Sequence, residues 1–390
     1  MTDASGRGGP GEPFHDLTAR AVFEKLLVHE SLTRDEVAEL TGRSRVAAAA
    51  VVQHLADRGL VHRVGSDAGG PAARRYALTR TSWAVVGADI RRDEVTVAVA
   101  DIGGTIRAQR TEPFSPSNDA AEALRGVILR CLADAGTPVD HVRRVVMGSP
   151  GIIDPATGEL AYAVVLAGWK RSLPADLGSL LGGVPVVFEN DVNLAAMAEA
   201  RDGAGRGTAN MVFAWMDLGV GLGIVLNGRL HRGRHGWSGE VGFMHAPVPE
   251  GQAAAEGAPA RDSVHQLASG IAIDIVAERH GLGANAAAAM AAAASTGERG
   301  QAFLDDVAGR VAYVVSAVAL VLNPSIVVLG GSYIGAAGPG ILERVSGFVA
   351  RTSPVPARIA LAQVVDEPIL RGALQTALDD ARDGLFTASS

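Results

Sequence analysis

The stretch Val85-Val86-Gly87-Ala88-Asp89-Ile90-Arg91-Arg92-Asp93 decides how most of this 390-residue chain folds. Its apolar first half predicts a buried strand, its last three residues predict a turn, and the alternating segment Glu94–Ala100 predicts the returning strand. A β-hairpin that holds the phosphates of ATP needs glycines at its turn, because backbone N–H groups must approach the phosphate oxygens closely. This turn has no glycine, so the pattern begins a sheet without building a phosphate loop.

The glycines come one strand later, in Asp101-Ile102-Gly103-Gly104-Thr105. A plain hairpin connection also favours glycine there, so we interpret the segment as an ordinary turn, with a phosphate site as the alternative. Strands and helices then alternate to the end of the chain, which is typical of an α/β body. We expect strands at Val142–Met147, Val184–Phe188, Met211–Met216, Gly223–Leu226 and Ser325–Leu329, and helices at Asp119–Ala135, Asn285–Ser295, Ala302–Leu322 and Pro368–Asp383.

The composition is that of an ordinary soluble protein, 48% apolar and 20% charged, with a net charge of −7. The single cysteine, Cys131, excludes an intrachain disulfide and a Cys-rich zinc cluster. Residues 1–13 have the composition of a disordered tail and lack the apolar core of a signal peptide. The longest apolar run, Val311–Leu322, is too short to span a bilayer. We therefore expect a cytoplasmic protein with no membrane partner.

Residues 14–80 have the element order of a winged helix-turn-helix DNA-binding domain. Thr33 and Glu36 form the sequence signature of a capping box, and Ser44 is a second helix cap. We expect helices at Asp16–Glu30, from Arg34 to Leu40 and at Arg45–Arg58, a tight turn at Thr41-Gly42-Arg43, and strands at Leu60–Val64 and Arg75–Leu78 joined by the loop Gly65–Ala73.

Charge placement favours duplex DNA as the partner of this domain. Residues 14–80 carry a net charge of +2, which leaves −9 for the rest of the chain. From Arg43 to Arg80 there are seven arginines against Asp57 and Asp67, so the positive charge coincides with the turn, the third helix and the wing, where phosphates have to be neutralised. The alternative is a protein-binding three-helix module with a solvated charged face.

The start of the third helix offers few groups that can read base edges. Val46 and Ala47–Ala50 present only methyl groups, which are useful at most against a thymine methyl. We therefore expect DNA contacts from five polar side chains on the third helix and the wing, namely Ser44, Arg45, Gln53, Arg74 and Arg75.

Several motifs make the chain similar to the ROK family (repressors, open reading frames and kinases) over nearly its whole length. The longest is the glycine-rich run from Gly219 to Gly242, which ends in Gly239-Glu240-Val241-Gly242. Pro150-Gly151, Glu189-Asn190-Asp191-Val192-Asn193 and Asn323-Pro324 with Leu329-Gly330-Gly331 fall where other motifs of the family do. The resemblance implies an actin-like, two-lobed α/β fold with a sugar cleft between the lobes, and it implies that an N-terminal winged helix marks the repressor branch.

By this resemblance, Asp191 matches the aspartate that serves ROK kinases as general base toward a sugar hydroxyl, and Asn190 and Glu240 match sugar-binding positions. Carboxylates and amides suit polyols, because each sugar hydroxyl both donates and accepts hydrogen bonds. The alternative role of Asn190 and Asp191 is to cap the helix that follows them. The candidate effector site comprises Gly151, Asn190, Asp191, Glu240 and Gln266.

The chain departs from the family's kinases at the zinc site. Phe243 replaces a zinc-binding histidine, and residues 247–266 contain no cysteine. His245 and His265 cannot replace four ligands, and Gln266 stands where a sugar-binding glutamate is usual. The resemblance, with these departures, implies that the protein holds no zinc.

The chain also departs from the kinases on the ATP side. Arg91-Arg92 replaces the first phosphate loop, and Leu218 replaces a threonine before the second glycine series. Phosphoryl transfer depends on positioning and stabilising the charge of the γ-phosphate, whereas an aspartate base alone contributes only about 10²–10⁴-fold. We therefore expect no enzymatic activity from the retained Asp191.

The sequence thus predicts a ROK-type transcriptional regulator in which a winged helix precedes a kinase-like, sugar-sensing body without cofactor. It should bind operator DNA as a homodimer or tetramer. Two alternatives stay open, a sugar kinase that binds phosphate through Arg91 and Arg92, and a regulator whose cleft binds no effector. The expected units are a tail (1–13), the winged helix (14–80), a first lobe (84–200, joined by the C-terminal helix 368–385) and a second lobe (205–365).

Overall fold

Three helices and a three-stranded antiparallel sheet form the N-terminal unit of the computed structural model, which describes residues 12–65, 74–115, 119–162, 170–255 and 260–386. The strand order is β1-β3-β2. The elements of this unit are α1 (Glu12–Val28), β1 (Leu32–Thr33), α2 (Arg34–Thr41), α3 (Arg45–Asp57), β2 (Val61–Val64) and β3 (Arg75–Leu78).

Local sequence signals place the helices of this unit. The Thr33 hydroxyl accepts from the Glu36 N–H at 3.2 Å and the Glu36 carboxylate accepts from the Thr33 N–H at 2.6 Å, so the predicted capping box is present. Gly42 ends α2 in a left-handed conformation with φ +61°, which glycine adopts without strain. Ser44 then caps α3. These signals are local, so sequence reasoning found them.

Two boundaries differ from expectation. Helix α1 begins at Glu12, inside the segment expected to be a tail, while residues 1–11 lie outside the described residues. The gap between the first two expected helices contains the short strand β1, which pairs with β3. Two residues are too few to show a strand periodicity in a sequence. Most of the loop between β2 and β3, residues 66–73, also lies outside the described part.

The first lobe is built on a five-stranded sheet with the order β10-β7-β4-β5-β6, in which β4 runs antiparallel to β5 and parallel to β7. Its elements are β4 (Ala84–Ile90), β5 (Glu94–Asp101), β6 (Ile106–Pro113), α4 (Ala120–Asp134), β7 (Val142–Ser149), β8 (Ile152–Ile153), β9 (Leu160–Tyr162), α5 (Leu173–Leu180), β10 (Val186–Asn190) and α6 (Asp191–Asp202).

The second lobe has its own five-stranded sheet, with the order β13-β12-β11-β14-β15. Among the described residues, no helix is both long enough and apolar enough to cross a bilayer. The elements of this lobe are β11 (Met211–Met216), β12 (Val220–Leu226), β13 (Arg229–Leu230), α7 (Val264–Ala268), α8 (Gly270–Arg279), α9 (Ala286–Ala293), α10 (Gly297–Leu322), β14 (Ile326–Gly330), α11 (Ser332–Ala337), α12 (Gly340–Thr352) and β15 (Ile359–Leu361).

The C-terminal helix α13 (Pro368–Phe386) returns to the first lobe and packs against β4, β7 and α6. The approach is close because small residues face the helix. A Cβ added at Gly87 on β4 would lie 2.7 Å from the side chain of Leu374, and one added at Gly372 would collide with the carbonyl oxygen of Leu194 on α6. The helix is therefore a packed part of the first lobe.

The chain passes between the two lobes twice, once after α6 and once before α13. One buried carboxylate accepts hydrogen bonds from both connecting segments. Glu199 on α6 is fully buried. Its Oε2 accepts from the N–H of Ala204, in the first crossing, at 2.8 Å. Its Oε1 accepts from the N–H groups of Gln363 and Val364, in the second crossing, at 2.7 and 2.6 Å. Hydrogen bonds to an ionised carboxylate are stronger than those to neutral acceptors, so Glu199 fixes the place where the lobes meet.

Both hairpin turns read from the sequence are present. Arg91 begins the turn between β4 and β5, where its N–H donates to the Glu94 carbonyl at 2.9 Å. In the second turn, Asp101 Oδ1 accepts from the N–H groups of Gly103 and Thr105 at 2.9 and 3.1 Å, and Gly104 has φ +93°. The backbone N–H groups that could have held a phosphate are therefore engaged by Asp101, and the segment is an ordinary turn.

Candidate functional site

The outward face of α3 is the part of the N-terminal unit best placed to contact DNA. Val46 is 81% exposed, and Ala50 and Gln53 follow it on the exposed side of the helix, whereas Val51 and Leu55 are buried. Ser44 is exposed, but its Oγ accepts from the Ala47 N–H at 3.3 Å and so caps the helix. The face therefore combines a methyl surface with polar groups at both ends.

The two long polar side chains of this face have intramolecular partners that are easily released. Arg45 is 78% exposed and binds the carboxylate of Asp35 on α2 through Nε at 2.8 Å and Nη2 at 3.1 Å. Gln53 donates to Asp57 at 2.7 Å. Exposed ion pairs contribute about 0–1 kcal/mol, so Arg45 can leave Asp35 for a phosphate or a base at little cost.

The two predicted wing arginines lie where β3 begins. The Arg75 guanidinium donates to the hydroxyl and the carbonyl oxygen of Ser31, both at 2.8 Å, and lies 3.4 Å from Glu36. Arg75 therefore fastens the wing to the start of α2, a structural role that the sequence did not indicate. Arg74 is half-buried and also has an intramolecular partner. Their DNA contacts remain predictions.

The predicted effector residues Gly151 and Asn190 meet where β7 and β10 end in the first lobe. Asn190 Oδ1 accepts from the Asn193 N–H at 3.1 Å and its Nδ2 donates to the Gly151 carbonyl at 2.9 Å. The capping role that the sequence left open for Asn190 is therefore present. Its amide also fixes the loop after β7 against the start of α6, which positions the half-buried Asp191.

A buried carboxylate beneath these residues ties the two lobes together. Glu189 is 4% exposed. Its Oε1 accepts from Nδ2 of Asn193 at 2.9 Å, and its Oε2 pairs at 2.6 Å with Nε of Arg232, which follows β13 in the second lobe. This ion pair brings the glycine-rich loop that carries Glu240 toward the end of β10. The two lobes thus contribute to one cleft.

Burial and the charges of two other carboxylates act on Asp191 in this cleft. The pKa of Asp191 is raised to about 7, mainly by burial, and the charges of Asp89 and Glu240 act in the same direction. The Val192 N–H, which donates to Asp191 Oδ1 at 2.8 Å, opposes the rise. Burial also raises the pKa of Glu240. Sugar hydroxyls that donate to these oxygens would relieve the electrostatic repulsion.

Asp191→Asn is expected to stabilise the protein at pH 8 and to leave its stability unchanged at pH 4. Because the folded-state pKa of about 7 lies above the ordinary value of 3.8, ionisation costs more in the folded protein, and this cost grows as the pH rises through that interval. Urea unfolding should show a gain of about 1–3 kcal/mol at pH 8. Asp93→Asn, at an exposed carboxylate, is the control. Equal gains for Asp191→Asn at both pH values would contradict the raised pKa.

The turn at Arg91, predicted to stand where the kinases have their first phosphate loop, is closed by its own side chains. Arg91 Nε lies 3.0 Å from Asp89 Oδ2, and its Nη1 lies 3.2 Å from Glu94 Oε1. Asp89 is 3% exposed, so this ion pair is partly desolvated. A phosphate would have to displace two carboxylates from Arg91. Arg92 is exposed.

The second glycine series begins where β11 and β14 end side by side. Leu218 is 72% exposed and its N–H donates to Asp217 Oδ1 at 2.9 Å. The hydroxyl of Ser332, at the start of α11, donates to the same carboxylate at 3.0 Å. An anionic side chain therefore stands among the backbone N–H groups at this edge, which disfavours a bound phosphate.

Gln266, the fifth predicted effector residue, lies in the interior of the second lobe. Its side chain is 1% exposed, its Oε1 accepts from the Ala255 N–H at 2.6 Å, and its Nε2 donates to the Ala253 carbonyl. Both ends of the amide thus stabilise the segment before α7. A contact of Gln266 with an effector remains a prediction.

The donor groups present do not fit the zinc site of ROK kinases. Cys131 is buried in the first lobe, where its thiol donates to the Val97 carbonyl. His245 pairs with Asp262 at 2.7 Å. Within the described ranges, no three His, Cys, Asp or Glu side chains converge in a way that could hold a metal. That the protein binds no zinc remains a prediction.

A groove of about 800 Å³ lies elsewhere in the second lobe, along α10 and α12. Its walls include Pro247, Pro249, Tyr313, Leu320 and Phe348, and are largely apolar. It contains none of the predicted effector residues. Size alone does not make it the ligand site, because sugar recognition needs convergent polar groups.

Sequence reasoning missed three contributors to the cleft. The sequence singles out Asp89 only for its place before the turn at Arg91 and Glu189 only as part of a motif, and it does not single out Arg232. The signal for Asp89 was its position at the end of a buried strand adjacent to β7. Glu189 and Arg232 are 43 residues apart, and nothing local in the sequence pairs them.

Comparison with known proteins identifies the class of this chain. Residues 85–380 match the model of the ROK family, and residues 19–80 match that of the sugar-specific transcriptional regulator TrmB. The chain therefore belongs to the ROK family and carries an N-terminal TrmB-like helix-turn-helix segment. The predicted two-lobed fold and its N-terminal helical domain are confirmed.

The similar proteins include both a repressor and a kinase. The xylose repressor of Bacillus spizizenii is 24% identical over 233 residues, 58% of this chain and 60% of the repressor. The glucokinase of Halalkalibacterium halodurans is 30% identical over 214 residues, 50% of this chain and 63% of the kinase. The chain thus spans about 60% of the length of these curated relatives.

A solved ROK family transcriptional regulator, a homologue of the Escherichia coli MLC protein, matches 96% of this chain and 98% of its own with a TM-score of 0.79. Its sequence identity is 18%, so it shows the fold alone.

Proposed function

We infer that the protein is a DNA-binding transcriptional regulator, a repressor of carbohydrate-related genes, whose two-lobed body binds a sugar or sugar derivative without phosphorylating it. Support comes above all from one observation, the turn at Arg91. In a chain that also carries a helix-turn-helix segment, the guanidinium there is bound by Asp89 and Glu94 where a kinase needs open backbone N–H groups. The regulator acts on duplex DNA as a homodimer or tetramer.

The chemistry of the cleft supports a saccharide as the effector. Asp191 and Glu240 supply acceptors from opposite lobes, and Asn190 fixes the start of α6 between them. Trp237 and Phe243 each lie three residues from Glu240 along the chain. Their rings are 45% and 50% exposed, with centroids 5.8 Å apart. Exposed aromatic faces favour a saccharide with an apolar surface or substituent over plain glucose.

A sugar kinase is the second candidate function, because of Asp191. A general base works best when its pKa lies near the operating pH, and the pKa of Asp191 is raised to about 7. The relationship to a glucokinase points the same way. Against it stand the engaged Arg91 and the carboxylate of Asp217 at the second glycine series. A raised pKa without a phosphate cradle supplies only one part of the catalyst.

Thermal melting and ATP turnover, measured on the same preparation, separate these functions. Xylose, glucose and phenyl β-glucoside are the probes. We expect at least one sugar to raise the melting temperature, because a ligand selective for the native state stabilises it, with no ADP formed above the rate without sugar. Asp191→Ala and Glu240→Ala should each abolish the rise, and Asp93→Ala, on the exposed turn, should leave it intact.

Two results would overturn the proposal. Sugar phosphate formation at an ordinary rate of about 1–100 per second would establish the kinase instead. A sugar that alters DNA binding equally in the wild type, Asp191→Ala and Glu240→Ala would place the effector site elsewhere. If saturating concentrations of every probe leave the melting temperature unchanged, the alternative of an effector-independent regulator is favoured.

A further inference from the structure

We propose that helices α6 and α13 together form the mechanical link that couples the cleft to the DNA-binding unit. This inference rests on the proposed function, since it assumes that one protein binds both DNA and a ligand. It adds the route between the two sites, which runs from Asp191 at the start of α6, across the α6–α13 contact, to the last turn of α13 and into α1 and α3.

The last turn of α13 is built into the core of the DNA-binding unit. The ring of Phe386 lies 5.6 Å from that of Phe23 on α1, and Phe23 is 1% exposed. The Arg58 guanidinium, just after α3, lies 5.6 Å above the Phe386 ring and donates to the Leu385 carbonyl. Arg20 on α1 pairs with Asp383 at 2.7 Å. Aromatic, cationic and ionic contacts therefore converge on one helical turn.

The middle of α13 contacts α6 through a close backbone approach and through polar side-chain pairs. Gly372 leaves no room for a side chain against the Leu194 carbonyl. On the next turns, Asp379 pairs with Arg201 at 2.9 Å and Gln375 donates to Asp202. Closely packed helices shift as units, because the interior tolerates few voids. A displacement of α6 therefore reaches α13 without being absorbed between them.

The start of α6 is where the cleft acts on this pair. Asn190 caps the helix and Asp191 is its first residue. A ligand that binds these two side chains therefore acts directly on the N-terminal end of α6 and can displace it. A second connection runs through the chain after the wing, where Arg80 lies 3.6 Å from Asp101 and donates to Thr105 at 3.3 Å. The DNA-binding unit is thus seated on the first lobe at two places.

Reciprocity allows the link to be tested without knowing the effector. If cleft occupancy alters DNA binding through α6 and α13, DNA binding must alter the cleft through the same helices. The probe is a duplex selected by the wild-type protein from a random-sequence library, and the readout is hydrogen–deuterium exchange of backbone amides. With saturating duplex, exchange in residues 191–196 of the wild type should change by roughly 5-fold or more, alongside protection of α3.

The test variant combines Phe386→Ala with Asp383→Asn, and Asp380→Asn is the matched control. Asp380 lies on the same helix, but its carboxylate pairs with Arg144 on β7. We expect the test variant to retain DNA-induced protection of α3 and to lose the change in residues 191–196, while the control retains both. A change in residues 191–196 that persists in the test variant, or is absent from the wild type, would overturn the link.

Exchanging the two charges of the Arg20–Asp383 pair distinguishes loss of the link from simple unfolding of the variant. Arg20→Asp alone should diminish the change in residues 191–196, and Arg20→Asp with Asp383→Arg should restore at least half of it. Failure of the exchanged pair to restore it, with α3 still protected, also counts against the link. Absence of α3 protection in the wild type would instead refute DNA binding itself, so the two failures are distinguishable.

Discussion

Replacing Glu199 by alanine is expected to lower the free energy of unfolding by about 3–5 kcal/mol, the largest effect of any single substitution predicted for this protein. The variant would leave three N–H groups without their acceptor, the buried one of Val364 and the part-buried ones of Ala204 and Gln363. Each such orphaned group costs about 1–3 kcal/mol, reduced where water can enter. Because the three groups lie on both crossings, the loss should loosen the junction of the lobes as well as destabilise the fold.

Urea unfolding at pH 7 measures this effect, with Glu199→Gln as the matched variant. Glutamine keeps the length of the side chain and one carbonyl acceptor but loses the charge, so we expect a smaller loss of about 1–3 kcal/mol. Glu298→Gln, at an exposed position of α10, should change the free energy of unfolding by less than about 0.5 kcal/mol. Equal losses for the alanine and glutamine variants would show that the charge of Glu199 is irrelevant.

Arg45→Ala is expected to weaken binding to the selected duplex by about 1–3 kcal/mol, a rise of roughly 5- to 150-fold in Kd. Arg45 begins α3 on the exposed face, where its guanidinium pairs with the exposed carboxylate of Asp35 at 2.8 Å. Removing that carboxylate should do the opposite. Asp35→Ala frees the guanidinium and removes a negative charge from the DNA side, so we expect binding roughly 2- to 5-fold tighter.

Fluorescence anisotropy at 0.1 M salt measures both changes. Arg125→Ala on α4 removes the same charge far from the DNA-binding unit and should alter Kd by less than about 2-fold, since salt screens distant charges. Arg75→Ala is not a suitable control, because Arg75 also holds Ser31 and Glu36. If Arg45→Ala together with Gln53→Ala leaves Kd unchanged, the DNA-reading surface is not the start of α3.

The parts of the fold that the sequence predicted are those with local causes. The capping box of Thr33 and Glu36, the turn at Gly42 and the hairpin turn at Arg91 each depend on residues a few positions apart, and each is present. The glycines at Gly103 and Gly104 were correctly assigned to a turn for the same reason. The family motifs then supplied the two-lobed arrangement, which no periodicity could have shown.

The parts that sequence reasoning missed depend on contacts across the fold. The DNA contact of Arg75 stays a prediction, but its hydrogen bonds to Ser31, 44 residues away, were not foreseen. The contact of Gln266 with an effector stays a prediction, but the hydrogen bond of its amide oxygen to the Ala255 N–H was not foreseen. The sequence gives no sign that Glu199 is buried, because a glutamate in a helix is ordinarily solvated. In each case a charge or amide found a partner that only the folded chain brings near.

The packing of Phe23 against Phe386 has a practical consequence for protein engineering. DNA-reading domains are commonly exchanged between regulators by cutting the chain at the linker, here near Ser82. A cut at that point would expose the Phe23 ring and the aliphatic part of Arg58 to water. The transferred domain would then carry an exposed apolar patch that promotes aggregation. A transplantable unit would have to bring its own copy of the last turn of α13, Asp383 to Phe386, so the transferable N-terminal module of this protein is discontinuous in sequence.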